Sequence, residues 1–276
     1  MTAAVLSDHA VPISADHSGS GLGRLRWAVA DTFAVAGRNL TAMRRVPQVL
    51  VFSTIQPVLF VLMFRYVFGG AIRVPGVRYV DYLMPGIFAQ TIAFGSIQTG
   101  VGLAEDLGKG MIERFRSLPM ARSAVLAGRT VADLVRNLFV FTLMLAVGFA
   151  VGFRVHTNVA AFLGGVGLLL LFAFALSWVF AYVGLAVGNA EAAQAAAFPV
   201  MAPLVFASSA FVPIESQPGW LQVFSEHQPL TIVVNAIRAL VLGGPSLSLA
   251  LQSMAWSVAI VAVFAPLAVR RHRRAA

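Results

Sequence analysis

The sequence predicts an all-α polytopic membrane protein with six transmembrane helices, and two observations carry that reading. The first is composition. The 276 residues are 59% hydrophobic and 11% charged, where a soluble domain is about 25% charged, and the mean hydropathy is +0.83. The second is the placement of positive charge. Arg24, Arg26, Arg38, Arg44 and Arg45 precede the first apolar stretch. Lys109, Arg114, Arg116, Arg122 and Arg129 fill the gap after the second, and Arg270, Arg271, Arg273 and Arg274 follow the last. Together these are fourteen of the 20 basic residues. The alternate gaps hold only Arg73 and Arg78, then Arg154, then Arg238. Basic segments flanking spans stay cytoplasmic, so both termini are expected inside the plasma membrane, with one main cytoplasmic loop.

The net charge of +9 fits arginines facing anionic lipid at the cytoplasmic leaflet. No basic stripe interleaved with aromatics lies outside the apolar stretches, so lipid, and not nucleic acid, is the expected partner. Cysteine is absent, which excludes disulfides, thiolate metal sites and cysteine nucleophiles.

Residues 1–23 are small and polar and read as a disordered cytoplasmic tail with no secretory signal. In 24–45, Leu25, Val29, Phe33, Ala36, Leu40 and Met43 recur three or four apart, which predicts an amphipathic helix. It lies either in the cytoplasmic interface or against other protein. Residues 46–276 form the six-helix transmembrane domain.

The first span, 46–68, contains Pro57 and is expected to kink. Arg65 is expected at its outer end, where a long side chain snorkels. The second span, 82–104, carries Gln90, Thr91, Ser96, Gln98 and Thr99. Gln90 and Thr91 stand eight residues before Gln98 and Thr99, so one face holds both pairs. Lipid offers such groups no partners; the face looks at a cavity or hydrogen-bonds a neighbouring helix.

Residues 105–130 form the cytoplasmic loop. The third span, 131–153, has Asp133 and Arg136 at its inner end, and Asp133 stands four residues after Arg129, the spacing of a local ion pair. The fourth span, 159–187, ends near Gly184 and Gly188. A short inner turn, 189–194, leads to the fifth span, 195–212, which contains Pro199, Pro203, Ser208 and Ser209. In the outer segment, 213–245, the stretch 231–242 is apolar but too short to span, which suits a re-entrant or interfacial helix. The sixth span is 247–269.

Several chemistries are missing. Gly108-Lys109-Gly110 is the only Gly-Lys pair, with Leu103 and Gly110 where a phosphate-binding loop needs Gly and Ser or Thr. His9, His17, His156, His227 and His272 are too scattered for a zinc site. Asp81, Glu105, Asp106, Asp133, Glu191 and Glu215 are placed at span ends or in loops, which disfavours a proton-driven carrier. In the loop, Met111, Ile112, Phe115 and Leu118 are helically spaced and Pro119 ends the helix. That segment is either a helix that docks on a partner or a solvated topology signal.

The run Glu113-Arg114-Phe115-Arg116-Ser117-Leu118-Pro119-Met120, followed by Gly128-Arg129 and Asp133, resembles the loop of ABC type-2 permeases, closest to the daunorubicin-resistance subgroup of drug and lipid exporters. Tyr82-Leu83-Met84-Pro85-Gly86 resembles that family's opening of the second span. Gln217-Pro218-Gly219-Trp220, His227-Gln228-Pro229-Leu230, and Ala236-Ile237-Arg238-Ala239-Leu240 with Gly243-Gly244 resemble its outer segment. The resemblance covers nearly the whole chain. It implies a permease subunit, not itself an enzyme, that binds no cofactor. A separate ABC ATPase dimer uses ATP and Mg, and a second permease copy, identical or related, completes the complex. It also implies a coupling helix over 105–119, with Glu105, Lys109, Glu113, Arg114, Phe115, Arg116 and Pro119 meeting the ATPase. The second and fifth spans would then line the path through Gln90, Thr91, Gln98, Thr99, Ser208 and Ser209. The rival expectations are a self-sufficient carrier or channel, and a non-transporting sensor subunit.

Overall fold

A computed structural model describes residue 37 and residues 47–72, 74–109 and 122–275. The tail 1–23, all of the helix expected over 24–45 except Gly37, and the loop positions Glu113, Arg114, Phe115, Arg116 and Pro119 lie outside the described residues. Among the described residues every regular element is helical.

The elements in chain order are α1 (Pro47–Leu62), which continues as a π-helical turn (Met63–Phe68), then α2 (Tyr79–Gly108), α3 (Arg122–Ala150), α4 (Val159–Val187) and α5 (Ala190–Phe206). A single 3-10 turn (Ile214–Ser216) precedes α6 (Gly219–His227), α7 (Pro229–Leu242) and α8 (Leu247–Ala275). Four of these contain stretches long and apolar enough to cross a membrane: Tyr79–Gly108, Gly128–Ala150, Val159–Val187 and Leu247–His272.

The bundle is built around α2, which packs most extensively on α4 and is flanked by α5, α3 and α7; α8 packs against α4 and α7. A main core joins Leu83, Met84, Ile87 and Phe88 of α2 to Phe172 of α4 and Val233 and Val234 of α7. A second, smaller cluster joins Leu103, Trp178, Leu185 and Ala268. Contact between α2 and α4 is close because glycines meet there. A Cβ at Gly184 would overlap the Gly100 carbonyl, and one at Gly100 would overlap that of Phe180. Such small-residue contacts let dispersion act between helices where lipid supplies no hydrophobic drive.

Helix ends follow local chemistry. Asn158 caps α4 by accepting from Ala161 N at 2.8 Å, and Gly188 ends it at φ 72°, a conformation glycine adopts without a Cβ penalty. Asn189 immediately caps α5, accepting from Glu191 N and Ala192 N. The inner turn expected over 189–194 is therefore two residues, Gly188 and Asn189. The alanine-rich run after Asn189 is strongly helix-forming and starts α5 at once. Within α5, Pro199 and Pro203 cannot donate, so the carbonyls of Ala195 and Pro199 lose their helical partners. The helix stops at Phe206, short of the expected 212.

The start of α3 and the partner of Arg129 differ from expectation. α3 begins nine residues before the expected 131, and Asp133 lies near the start of its apolar stretch Gly128–Ala150. Asp133 is 3% exposed and does not pair with Arg129; Arg129 Nη1 reaches Asp106 Oδ2 at 2.6 Å. The antiparallel run of α2 and α3 offers Arg129 a carboxylate across the loop. The apolar stretch expected over 231–242 is α7, and it lies inside the bundle with Leu230, Val233, Val234 and Ile237 buried.

Candidate functional site

Gln90 is residue 12 of α2, so it stands near the middle of that 30-residue helix. A cavity of about 170 Å³ opens beside it, bounded by α1, α2, α3 and α5. Its buried side holds Gln90, Asn137 and Arg136, with exposures of 4%, 2% and 9%. Its mouth holds Gln56, Gln98 and Gln194, all exposed. Five carboxamides therefore converge on one recess. Gln90 Oε1 and Asn137 Nδ2 are buried there without hydrogen-bond partners.

A charged network lies behind the cavity. Arg136 Nη2 donates to Gly95 O and lies 3.4 Å from Asp133 Oδ1. Asp133 Oδ2 in turn accepts from Thr99 Oγ1. Gly95 and Gly102 make room for these groups: a Cβ at Gly95 would come within 2.6 Å of Asn137 Oδ1, and one at Gly102 would overlap the Arg129 guanidinium. An intramembrane charge is costly unless paired, and here the pair, the hydroxyl and the carbonyl answer one another.

The sequence-predicted path residues divide into three groups. Gln90, Thr91 and Gln98 line this cavity, although the Thr91 hydroxyl is engaged with Ile87 O at 2.7 Å. Thr99 faces α3 instead, through Asp133. Ser208 and Ser209 sit far along α5, in the turn that follows it. There Ser208 Oγ donates to Val205 O at 2.6 Å, and Ser209 Oγ donates to Asn235 Oδ1 at 2.9 Å.

That turn is part of an organised polar tier. Tyr79 donates to Phe211 O at 3.0 Å and Tyr82 to Ser209 O at 3.1 Å. The Arg238 guanidinium stacks 3.6 Å over the Tyr82 ring and donates to Tyr82 O, Ser209 O and Asn235 Oδ1. Ser209, Asn235, Arg238 and Glu215 border a second, wider cavity of about 800 Å³. Arg65, expected to snorkel, lies in the π-helical turn, 5.6 Å from the Tyr66 ring centre.

At the C-terminal end of α2, Lys109 Nζ meets Glu105 Oε1 at 2.5 Å on the exposed surface. That hydrogen bond holds the Lys109 ammonium above its ordinary pKa. The Asp106–Arg129 pair ties the end of α2 to the start of α3.

Sequence reasoning missed Gln56, Arg136, Asn137 and Gln194 as cavity residues. Gln56 and Asn137 are polar residues within apolar helices, the same signal that marked Gln90. Nothing local, however, shows that they face one recess.

The ABC-2 type transporter family model matches residues 30–242. The daunorubicin resistance ABC transporter permease protein DrrB1 of Streptomyces coeruleorubidus is 32% identical over 246 residues, covering 89% of this chain and 87% of that protein. The probable doxorubicin resistance ABC transporter permease protein DrrC of Mycobacterium tuberculosis is 29% identical over 256 residues, 90% of each chain. A putative transport permease, ycf38, of Cyanophora paradoxa is 24% identical over 216 residues, 77% of this chain and 74% of that one. The chain belongs to the ABC-2 type transporter family, and it is a multi-pass membrane protein.

Proposed function

We propose that this chain is the membrane-spanning permease subunit of an ATP-driven exporter that moves hydrophobic drugs, lipids or secondary metabolites out of the cell. Family membership supplies the class. The observation that carries the reading is the amide-lined recess halfway along α2. A polar cavity bounded by four helices of a largely apolar chain serves a passing molecule better than it serves packing.

In this reading the chain crosses the plasma membrane six times, α1 with its π-helical turn and α5 joining the four longer helices. Residues 24–45 lie along the cytoplasmic interface, and both termini are inside. Two copies, identical or related, sit on an ATPase dimer that holds ATP and Mg. Residues 105–119 form the coupling helix, through Glu105, Lys109, Glu113, Arg114, Phe115, Arg116 and Pro119.

Closure of the ATPase dimer pushes on that helix. The Asp106–Arg129 pair makes α2 and α3 answer the push together. α2 carries Gln90, Thr91 and Gln98, while Thr99 holds α2 to α3 through Asp133. The two prolines let α5 bend relative to α2. Ser208 and Ser209 form the hinge between α5 and the outer segment, in which α6 and α7 form a re-entrant unit that closes the exit. The chain supplies contact, leverage and a path, and no bond-making chemistry.

The test is co-purification in mild detergent of the wild-type chain and of a chain whose 105–119 segment is scrambled. The expected result is capture of an ABC ATPase by the first and not by the second. If the intact chain captures none, a self-sufficient carrier becomes the better account.

A further inference from the structure

We infer that the recess beside Gln90 seats an uncharged ring of the transported molecule, one bearing hydroxyl or carbonyl groups, and that it rejects cationic amines and anions. This rests on the permease reading and adds to it a substrate class.

Size comes first. A cavity of about 170 Å³ is close to the roughly 150 Å³ that accommodates one benzene ring, so it seats one six-membered ring while the rest of the molecule lies beyond the mouth.

Hydrogen-bonding character comes next. Gln90 Oε1 is an acceptor with no donor, and Asn137 Nδ2 is a donor with no acceptor. Both are more than nine-tenths buried, and they do not satisfy each other. Buried polar groups are rarely left so. A ligand that both donates and accepts completes them, as a hydroxyl does alone or a carbonyl and a hydroxyl do together. Gln56, Gln98 and Gln194 repeat the same dual chemistry at the mouth, because each carboxamide offers two donors and an acceptor.

Charge decides the rest. Among the described residues no carboxylate lines the recess. Asp133 stands behind it and is already engaged by Arg136 and Thr99. An ammonium entering here would meet a guanidinium and find no counter-ion, and a buried unpaired charge is strongly disfavoured. An anion fares little better, because the Arg136 charge is already answered.

The experiment uses the full chain in lipid nanodiscs, with empty nanodiscs subtracted. Three probes share one aromatic body: 4-nitrophenyl β-D-glucopyranoside, 4-nitrobenzylammonium and 4-nitrobenzoate. Equilibrium dialysis gives Kd, and saturation-transfer NMR reports which ring contacts protein. The glucoside is expected to bind at least tenfold more tightly than either ion. Gln90→Leu and Asn137→Leu should each weaken it at least fivefold. Gln98→Glu lies at the exposed mouth and keeps the buried packing, so it reports even where a buried variant does not fold; it should raise the ammonium's affinity at least fivefold. Equal or tighter binding of the ammonium to the wild type, an unchanged Kd in Gln90→Leu, or no saturable binding of the glucoside would each overturn the inference. The co-purification test fails separately. Glucoside preference without a captured ATPase keeps the recess's selectivity and removes the permease reading, whereas a captured ATPase with ammonium preference removes the selectivity alone.

Discussion

α2 and α4 lie against each other along most of their length, yet they divide the labour in opposite ways. α2 is the more polar of the two, and 78% of its most apolar window is buried; α4 is almost wholly apolar, and 39% of its window is buried. α8, also apolar, is buried over only 11%. In a soluble bundle the order would be reversed. Lipid accepts leucine freely but offers hydroxyls and amides nothing, so the helix with polar side chains takes the centre and the apolar helices surround it. The middle of such a protein is where hydrogen bonds are made, and glycine contacts bring its two central helices close enough for their buried apolar side chains to interlock.

The strongest way to break the contrast is to leave a charge alone in the centre. Asp133→Ala strips Arg136 of its counter-ion at a site where both side chains are nearly buried. Loss of one partner from a buried pair costs about 3–5 kcal/mol, so thermal unfolding in detergent should show the largest loss of any substitution described. A melting temperature equal to wild type would show that water reaches Arg136. Gly184→Ala should come next. Its Cβ meets backbone and cannot be accommodated by a side-chain shift, and overpacking of this kind costs about 1–3 kcal/mol. The readout is again thermal stability, with Gly164→Ala on the same helix, where nothing crowds the added methyl, as the silent control.

A matched pair of hydroxyl deletions sharpens the contrast most finely. Thr99 donates to a carboxylate on another helix, whereas Ser177 donates to Ala173 O in its own turn, at 2.9 Å. Thr99→Val should therefore cost about 1.5–3 kcal/mol. Ser177→Ala removes a neutral bond within one turn and should cost less, about 1 kcal/mol. Equal losses would mean that the central network adds nothing beyond ordinary packing.

Much of this architecture is legible in sequence wherever local chemistry decides it. The bounds of α4 match the expected 159–187 because Asn158 and Gly188 cap it. α5 starts five residues before the expected 195: Glu191 and Gln194 look like loop residues, although the alanines between them favour helix. The Arg129 partner was not legible at all. Spacing pointed four residues ahead to Asp133, and the partner came from 23 residues back, in Asp106, across the loop. The same limit governs the recess. Gln90 and Gln98 stand out on one helix, but a cavity needs the faces of three more helices, and only tertiary packing brings Gln56, Asn137 and Gln194 to it.

The Arg238 clamp carries a consequence for biosynthesis. It grips the Tyr82 carbonyl from 156 residues further along the chain. At ribosomal speeds of about 5–20 residues per second, roughly ten to thirty seconds separate the two partners at birth. α2, the least lipid-compatible of the long helices, therefore enters the bilayer well before α7 exists to hold its N-terminal end, and before α4 exists to cover its glycines. Nascent α2 needs shelter during that interval, whether at the translocation channel or against α3, and slowing elongation between α2 and α7 should expose it to proteolysis.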